Sequence, residues 1–320
     1  MKSKRVVYVA LISDLAIAVT KFTAATVTGS SAMISEGIHS VIDTISQVLL
    51  LWGIRKSKKR PDEKRPFGYG KELYFWSFMV SLIIFILGGC ISFYEGFVRV
   101  THPFTHDNQW WNYLVLGIAL LFTAVSGVNS LRVFNRQRGD TPFWQAIRES
   151  RDPAVFIVLL GDVGDLLGLL VALAGILATN LMHDPVYDGI ASMIIGLVLL
   201  AISIVLVRES WSLLMGEATS RKTVHQVIKL AEGDVAVVKI QKHFSMYLAP
   251  EEIVLQLLTV FKKTLTAVQI TEAIARISER IREEYPRFKQ IFIEPVAETR
   301  ILRRNGRRPK RPNGSLPLRS

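Results

Sequence analysis

Six long apolar runs constrain this chain more than any other feature. They cover residues 6–28, 32–54, 74–100, 113–134, 153–181 and 185–207. Each is near or above the roughly 20 residues that an α-helix needs to cross the hydrocarbon core of a bilayer. Within that core only a helix or a closed barrel satisfies its own backbone polar groups. A soluble fold of 320 residues has no use for six such runs. The sequence therefore predicts an α-helical polytopic membrane protein with six transmembrane helices. The first run also lacks a small-residue cleavage site where a signal peptide would carry one, so no cleavable leader is expected.

The loop charges test this reading independently. The net charge is +12, from 39 Lys and Arg against 27 Asp and Glu. In a soluble chain that excess would point to nucleic acid. Here the cations sit in alternate loops. Lys2, Lys4 and Arg5 precede the first run; Arg55, Lys56, Lys58, Lys59, Arg60, Lys64, Arg65 and Lys71 follow the second; Arg132, Arg136, Arg138, Arg148 and Arg151 follow the fourth. The turns after the first and fifth runs have no Lys or Arg, and the one after the third has essentially Arg99 alone. Positive loops stay in the cytoplasm, so both termini are expected there. The basic excess then faces anionic lipid headgroups, and no nucleic-acid partner is expected. The single cysteine, Cys90, excludes an internal disulfide and is expected as a small core residue.

Beyond the last run the pattern becomes that of a small α+β unit. An amphipathic stretch covers 222–231, two β-rich segments cover 235–240 and 253–261, and Ala249-Pro250-Glu251 turns between them. Thr266 and Gln269 form a capping box that opens a helix with Ile270, Ile274, Ile277 and Ile281 on one face. A last short strand covers 288–293. The expected division is a transport domain over 1–210, a cytoplasmic ferredoxin-like α+β dimerisation domain over 211–298, and a disordered basic tail over 299–320. So small a domain has a modest core, which favours a homodimer.

Ionisable residues inside apolar spans are costly, and each is a functional candidate. In the second run, Glu36, His39 and Asp43 share one helical face, and His39 and Asp43 at i and i+4 can offer a nitrogen and an oxygen to one ion. Such a mixed pair suits a borderline divalent cation such as zinc. In the fifth run, Asp162 and Asp165 would repel each other unless a cation or a proton lay between them. His39, Asp43, Asp162 and Asp165 would complete a tetrahedral site. The alternatives are a polar stripe facing other helices and, for Asp165, a bond to neighbouring backbone. Gly161, Gly164 and Gly168 are expected to let the second and fifth helices approach. Asp14 and Lys21 are expected as an ion pair or a polar contact to other spans. Asp188 is expected to cap the sixth helix or line an entrance, and His243 to be a surface histidine.

On these residues the chain resembles the cation diffusion facilitator family, from residue 6 to about residue 298. Gly29-Ser30-Ser31-Ala32-Met33 with Glu36, His39-Ser40 and Asp43 resembles the family's second span and its His-x-x-x-Asp metal pair. Pro66-Phe67-Gly68-Tyr69-Gly70-Lys71 resembles the loop that follows, Asp162 with Gly168 the fifth-span motif, and Ile291-Phe292-Ile293-Glu294-Pro295 the last strand of the cytoplasmic domain. The resemblance carries over His39, Asp43 and Asp162 as ligands; Asp165 is added by its position alone. Val158 stands where zinc members have a second histidine, as in the ZnT9-like branch. Losing that imidazole moves the site toward harder ions such as manganese or iron. Arg65, Tyr69, Phe292 and Glu294 stand at positions of accessory loop and cytoplasmic ligands, so no metal site is expected there.

The function this implies is secondary transport of a divalent transition metal, zinc foremost, out of the cytoplasm in exchange for protons. In a prokaryote this would be at the plasma or inner membrane. The ion is substrate, and no prosthetic group is expected. No Walker-type segment offers ATP drive, and no His-Glu-x-x-His spacing offers metal-dependent hydrolysis, so no enzyme is read here. The rivals are a transporter selective for Mn2+ or Fe2+, and a non-transporting membrane scaffold acting through the C-terminal domain.

Overall fold

A computed structural model describes residues 2–28, 31–102, 109–139, 142–143, 146–147 and 152–298. Six long helices come first: α1 (Lys2–Thr28), α2 (Ser31–Lys56), α3 (Lys71–Thr101), α4 (Gln109–Arg138), α5 (Pro153–Met182) and α6 (Val186–Met215). All but α2 hold, among the described residues, a stretch long and apolar enough to cross a membrane. Pro153 starts α5 at its first turn, where a missing N–H costs nothing. Gly216, at φ 102°, stops α6 in the left-handed conformation that glycine adopts without strain. A π-helical segment, Ile84–Cys90, interrupts α3.

Large apolar side chains cover the outside of this bundle, among them Ile12, Leu15, Val19, Tyr94, Leu121 and Leu181. An exposed apolar surface of that extent suits lipid rather than water. Cys90 belongs to this outer surface and not to the core. A polytopic helix has a lipid face as apolar as its packed face, so hydrophobicity alone does not tell them apart.

Inside, α1 packs on α2, α4 and α5, while α3 runs beside α6. The last two touch backbone to backbone: a Cβ on Gly96 would lie 2.5 Å from the Met193 nitrogen, and one on Gly196 2.5 Å from that of Phe93. Gly164 and Gly168, expected to face α2, meet the side chains of Leu199, Ile202 and Ile195 of α6 among the described residues. Helix α5 is central: 56 % of its apolar stretch is buried, against 28 % in each of the other four. Charged groups on α5 are thereby kept from lipid.

Past Met215 the chain forms an α+β unit of α7 (Arg221–Glu232), β1 (Val237–Ala249), β2 (Glu252–Phe261), α8 (Ala267–Glu284) and β3 (Phe288–Pro295). The sheet order is β1-β2-β3, with β1 antiparallel and β3 parallel to β2, so α8 is the crossover. The capping box at Thr266 and Gln269 is present. Val227, Leu255, Leu257, Ile277, Ile281 and Phe288 form the core. Asp234, almost fully buried, accepts two bonds from Arg276, at 2.7 and 2.9 Å, and this guanidinium holds its carboxyl below the usual range. Strand β1 runs nine residues past the expected 240, to 249. Its ladder with β2 shifts register at three places, which destroys the period-two alternation a strand normally shows.

The α+β unit rests on the loop between α2 and α3. Phe67 meets Phe292 edge-on at 6.5 Å, and Gly70 packs against the Leu248 carbonyl; the segment after α6 is tied to β1 by the Tyr247 N–H, which donates to the Glu217 carbonyl at 3.1 Å. That loop is itself tied together. Tyr69 donates to Asp62, Arg65 to Glu72, and Lys59 and Arg65 both lie over the Tyr69 ring. Arg65 and Tyr69 therefore serve the loop's own structure. Residues 299–320, expected as a disordered tail, lie outside the described residues.

Candidate metal site

Three helices bring four carboxylates into one neighbourhood. Asp14 comes from α1, Asp43 from α2, and Asp162 and Asp165 from α5. Asp14 lies within electrostatic reach of Asp43 and Asp162, and Asp165 within reach of the other three. The Gln47 side chain of α2 hydrogen-bonds Asp14. Asp162, 7 % exposed, accepts a bond of 2.7 Å from the hydroxyl of Ser130, a fully buried residue of α4.

A cavity of about 340 Å³ opens from this cluster. Asp14, Lys21, Ser40, Asp43 and Asp165 line it near the bundle's middle; Glu95, Arg99 and Asp188 line it further along. Its walls come from the C-terminal halves of α1, α3 and α5 and the N-terminal halves of α2, α4 and α6. It thus occupies the half of the bundle whose connecting loops carry almost no Lys or Arg. The opposite half is filled by apolar side chains, including Val6, Val7, Leu50, Ile54, Tyr74, Phe134, Leu206 and Leu213, with every residue from Ala154 to Leu160 buried.

The expected ligands are distributed unevenly over this arrangement. Asp43 and Asp165 both line the cavity, while Asp162, one turn earlier on α5, turns toward Ser130. His39 and Glu36 lie on α2, but their side chains fall outside the described residues. Among the described residues no three His, Cys, Asp or Glu side chains converge tightly enough to hold an ion. Val158 is 1 % exposed in the apolar core.

Asp14 is the functional candidate that sequence reasoning undervalued. The expected ion pair with Lys21 or polar contact to other spans agrees with the Lys21 charge that acts on it and the Gln47 side chain of α2 that bonds it, and the fold also sets it among carboxylates of α2 and α5. Its only signal is a carboxylate in the middle of an apolar run. A second overlooked feature is the hydroxyl stripe Thr123, Ser126 and Ser130 on α4, spaced to share a face. Asp188 does not cap α6: it accepts a 2.9 Å bond from Arg99, and Asp184 instead accepts from the Val186 N–H at 3.0 Å.

Comparison with known proteins fits this geometry. The family model of the cation efflux transmembrane domain matches residues 7–215. The chain is 34 % identical over 220 residues to a human protein named proton-coupled zinc antiporter SLC30A9, mitochondrial, covering 68 % of this chain and 39 % of that one. It is 28 % identical over 238 residues to metal tolerance protein C4 of Arabidopsis thaliana, covering 73 % and 52 %. It is 24 % identical over 230 residues to the manganese efflux system protein MneP of Bacillus subtilis, covering 70 % and 72 %. The chain spans only about two-fifths of the length of its SLC30A9 relatives. The matched region holds the cavity and the whole carboxylate cluster, and the chain belongs to the cation efflux, or cation diffusion facilitator, family.

Proposed function

We propose that the chain is a secondary transporter that moves a divalent transition metal ion, zinc foremost, out of the cytoplasm in exchange for protons. One observation carries this reading: carboxylates of three helices gather where a cavity crossing half the bundle meets an apolar plug filling the other half. Binding at mid-depth with one side open is the general scheme of alternating access. The naming of the SLC30A9 relatives as proton-coupled zinc antiporters supports the ion and the coupling.

In this reading α2 is the sixth span, both termini are cytoplasmic, and the α+β unit from 211 to 298 pairs two copies. His39, Asp43, Asp162 and Asp165 take up the ion, with Ser130 orienting Asp162. Imidazole and carboxylate bind either a metal ion or a proton, so a proton gradient can drive the ion off its ligands. Zn2+ uptake into proteoliposomes, driven by an imposed pH gradient, is the test, run beside Mn2+, Fe2+ and Cd2+. No uptake of any of these ions overturns the reading in favour of the scaffold. Reporters at Lys58 and Arg138 should read cytoplasmic, and an external signal at either overturns the topology.

A second reading, Mn2+ or Fe2+ as the ion, is favoured by the dominance of carboxylates and by Val158 where an imidazole would have softened the site. Uptake of Mn2+ or Fe2+ in preference to Zn2+ would establish it.

A further inference from the structure

We propose that Lys21 is a tethered counter-cation of the carboxylate cluster: its ammonium takes the place of the transported ion when that ion leaves, and so sets how tightly the ion is held and how fast it is released. The inference rests on the transport reading above. Lys21 lies two turns beyond Asp14 on α1, on the same face, and only 9 % of it is exposed. It lines the cavity with Asp14, Asp43 and Asp165, and its charge acts on both Asp14 and Asp165. Along α1 it stands between the cluster and the end of the cavity where Arg99 and Asp188 meet. It thus lines the cavity through which an ion would move between that end and the carboxylates.

Charge explains why a lysine is tolerated so deep. Four aspartates share the neighbourhood, and a buried carboxylate without a cation is costly. A dication offsets two such charges; once it leaves, incoming protons and a cation held nearby share that part. Lysine suits that part because its compact charge sits on a flexible stem and can swing between partners. Arg99, at the far end of the cavity, is a guanidinium that donates to Asp188 at 2.9 Å. A tethered cation also repels an arriving ion, which weakens ground-state binding and speeds release. Removing the charge should therefore tighten binding and slow turnover, the opposite of what loss of a structural support does.

The test uses the full chain, with Zn2+ binding followed by calorimetry in detergent and uptake measured in proteoliposomes. Lys21→Met and Lys21→Gln should each lower the Zn2+ Kd by about tenfold or more, since even a screened unit charge at this range is worth that much. Both KM and kcat should fall together, and Lys21→Arg should return both toward wild type. Folded neutral variants whose Zn2+ affinity is unchanged or weaker overturn the proposal. The wild-type chain supplies an independent arm through reductive methylation of Lys21, read by mass spectrometry. Zn2+ should accelerate it by drawing the carboxylates away from the amine; unchanged or slower labelling sinks the idea even if the neutral variants do not fold. Wild-type protein that takes up no metal removes the transport reading and this inference together, whereas wild-type uptake with unchanged affinity in Lys21→Met removes this inference alone.

Discussion

The two halves of the helical bundle are built from the same six helices and solve opposite problems. Toward the basic loops, Val6, Val7, Leu50, Ile54, Phe134, Leu206 and the whole run from Ala154 to Leu160 fill the interior. Toward the neutral loops, the same helices line a cavity with Asp14, Asp43, Asp165, Glu95, Arg99 and Asp188 in its wall. The carboxylates lie at the junction. The packed half is not uniformly apolar, however. Ser46, Ser77, Asn129 and the Gln47 carbonyl present buried polar atoms with no hydrogen-bond partner among the described residues. In the transport reading, alternating access would exchange the open and the closed half.

The largest expected effect lies at the junction. Asp43→Ala and Asp162→Ala should each abolish Zn2+ uptake while the protein stays folded in the membrane, because each removes a charge that balances part of the ion where water cannot. Uptake like that of wild type in both variants removes the site, and with it the reason for placing function between the halves.

Accessibility reads the difference between the halves directly. In a Cys90→Ser background, Ser192→Cys lies in the cavity wall and Val158→Cys in the apolar plug. A membrane-impermeant thiol reagent should label the first on the order of 100-fold faster than the second, following the cost of opening a packed region. Equal rates would erase the distinction between the halves. Acceleration at Val158→Cys when Zn2+ or pH is changed would show the exchange itself.

Ser130 and Asp165 sharpen the boundary between ligand and support. Ser130→Ala removes the donor that orients Asp162, and a supporting group of this kind is worth about 10–100-fold in metal affinity. Asp165→Asn separates three roles. A ligand should cost as much affinity as loss of Asp162, a support about 10–100-fold, and a purely structural group should lower expression but leave affinity intact.

How much of this was legible beforehand depended on which neighbours decide each residue's role. The helices were readable because spanning length is a local property: the fifth apolar run was placed at 153–181 and α5 covers Pro153–Met182. Asp43 and Asp165 were readable as candidates because a charge in an apolar run is conspicuous by itself. What spacing could not supply was azimuth between helices. Asp162 and Asp165, three apart, were expected to share a cation or a proton; one bonds Ser130 of α4 and the other lines the cavity. Gly164 and Gly168 of α5 were read toward α2 and face α6. Cys90 was read as core and faces outward. In each case the helix was right, and the partner was set by packing that no single helix encodes.

The smallest effect concerns the far end of the cavity. Arg99 of α3 donates to Asp188 of α6 at 2.9 Å, with both side chains about a quarter to a third exposed, and Glu95 lies one turn deeper on α3. A partly exposed pair of this kind contributes about 0–1 kcal/mol. Helices α3 and α6 are already held together by the close contacts at Gly96 and Gly196, so the pair is not needed to join them. Its larger consequence is for the charge that a metal ion meets there. Asp188→Asn removes a negative charge and frees the guanidinium, making this end more repulsive to cations; Arg99→Gln does the reverse. The expected result is a few-fold rise in KM for Zn2+ release run in reverse in the first variant and a few-fold fall in the second. Both effects should fade as salt rises, because exposed charges are screened within roughly 10 Å at 0.1 M ionic strength. Equal and salt-independent losses in the two variants would mean that the pair fixes helix geometry after all, and that the open half is held in shape by charge where the closed half is held by packing.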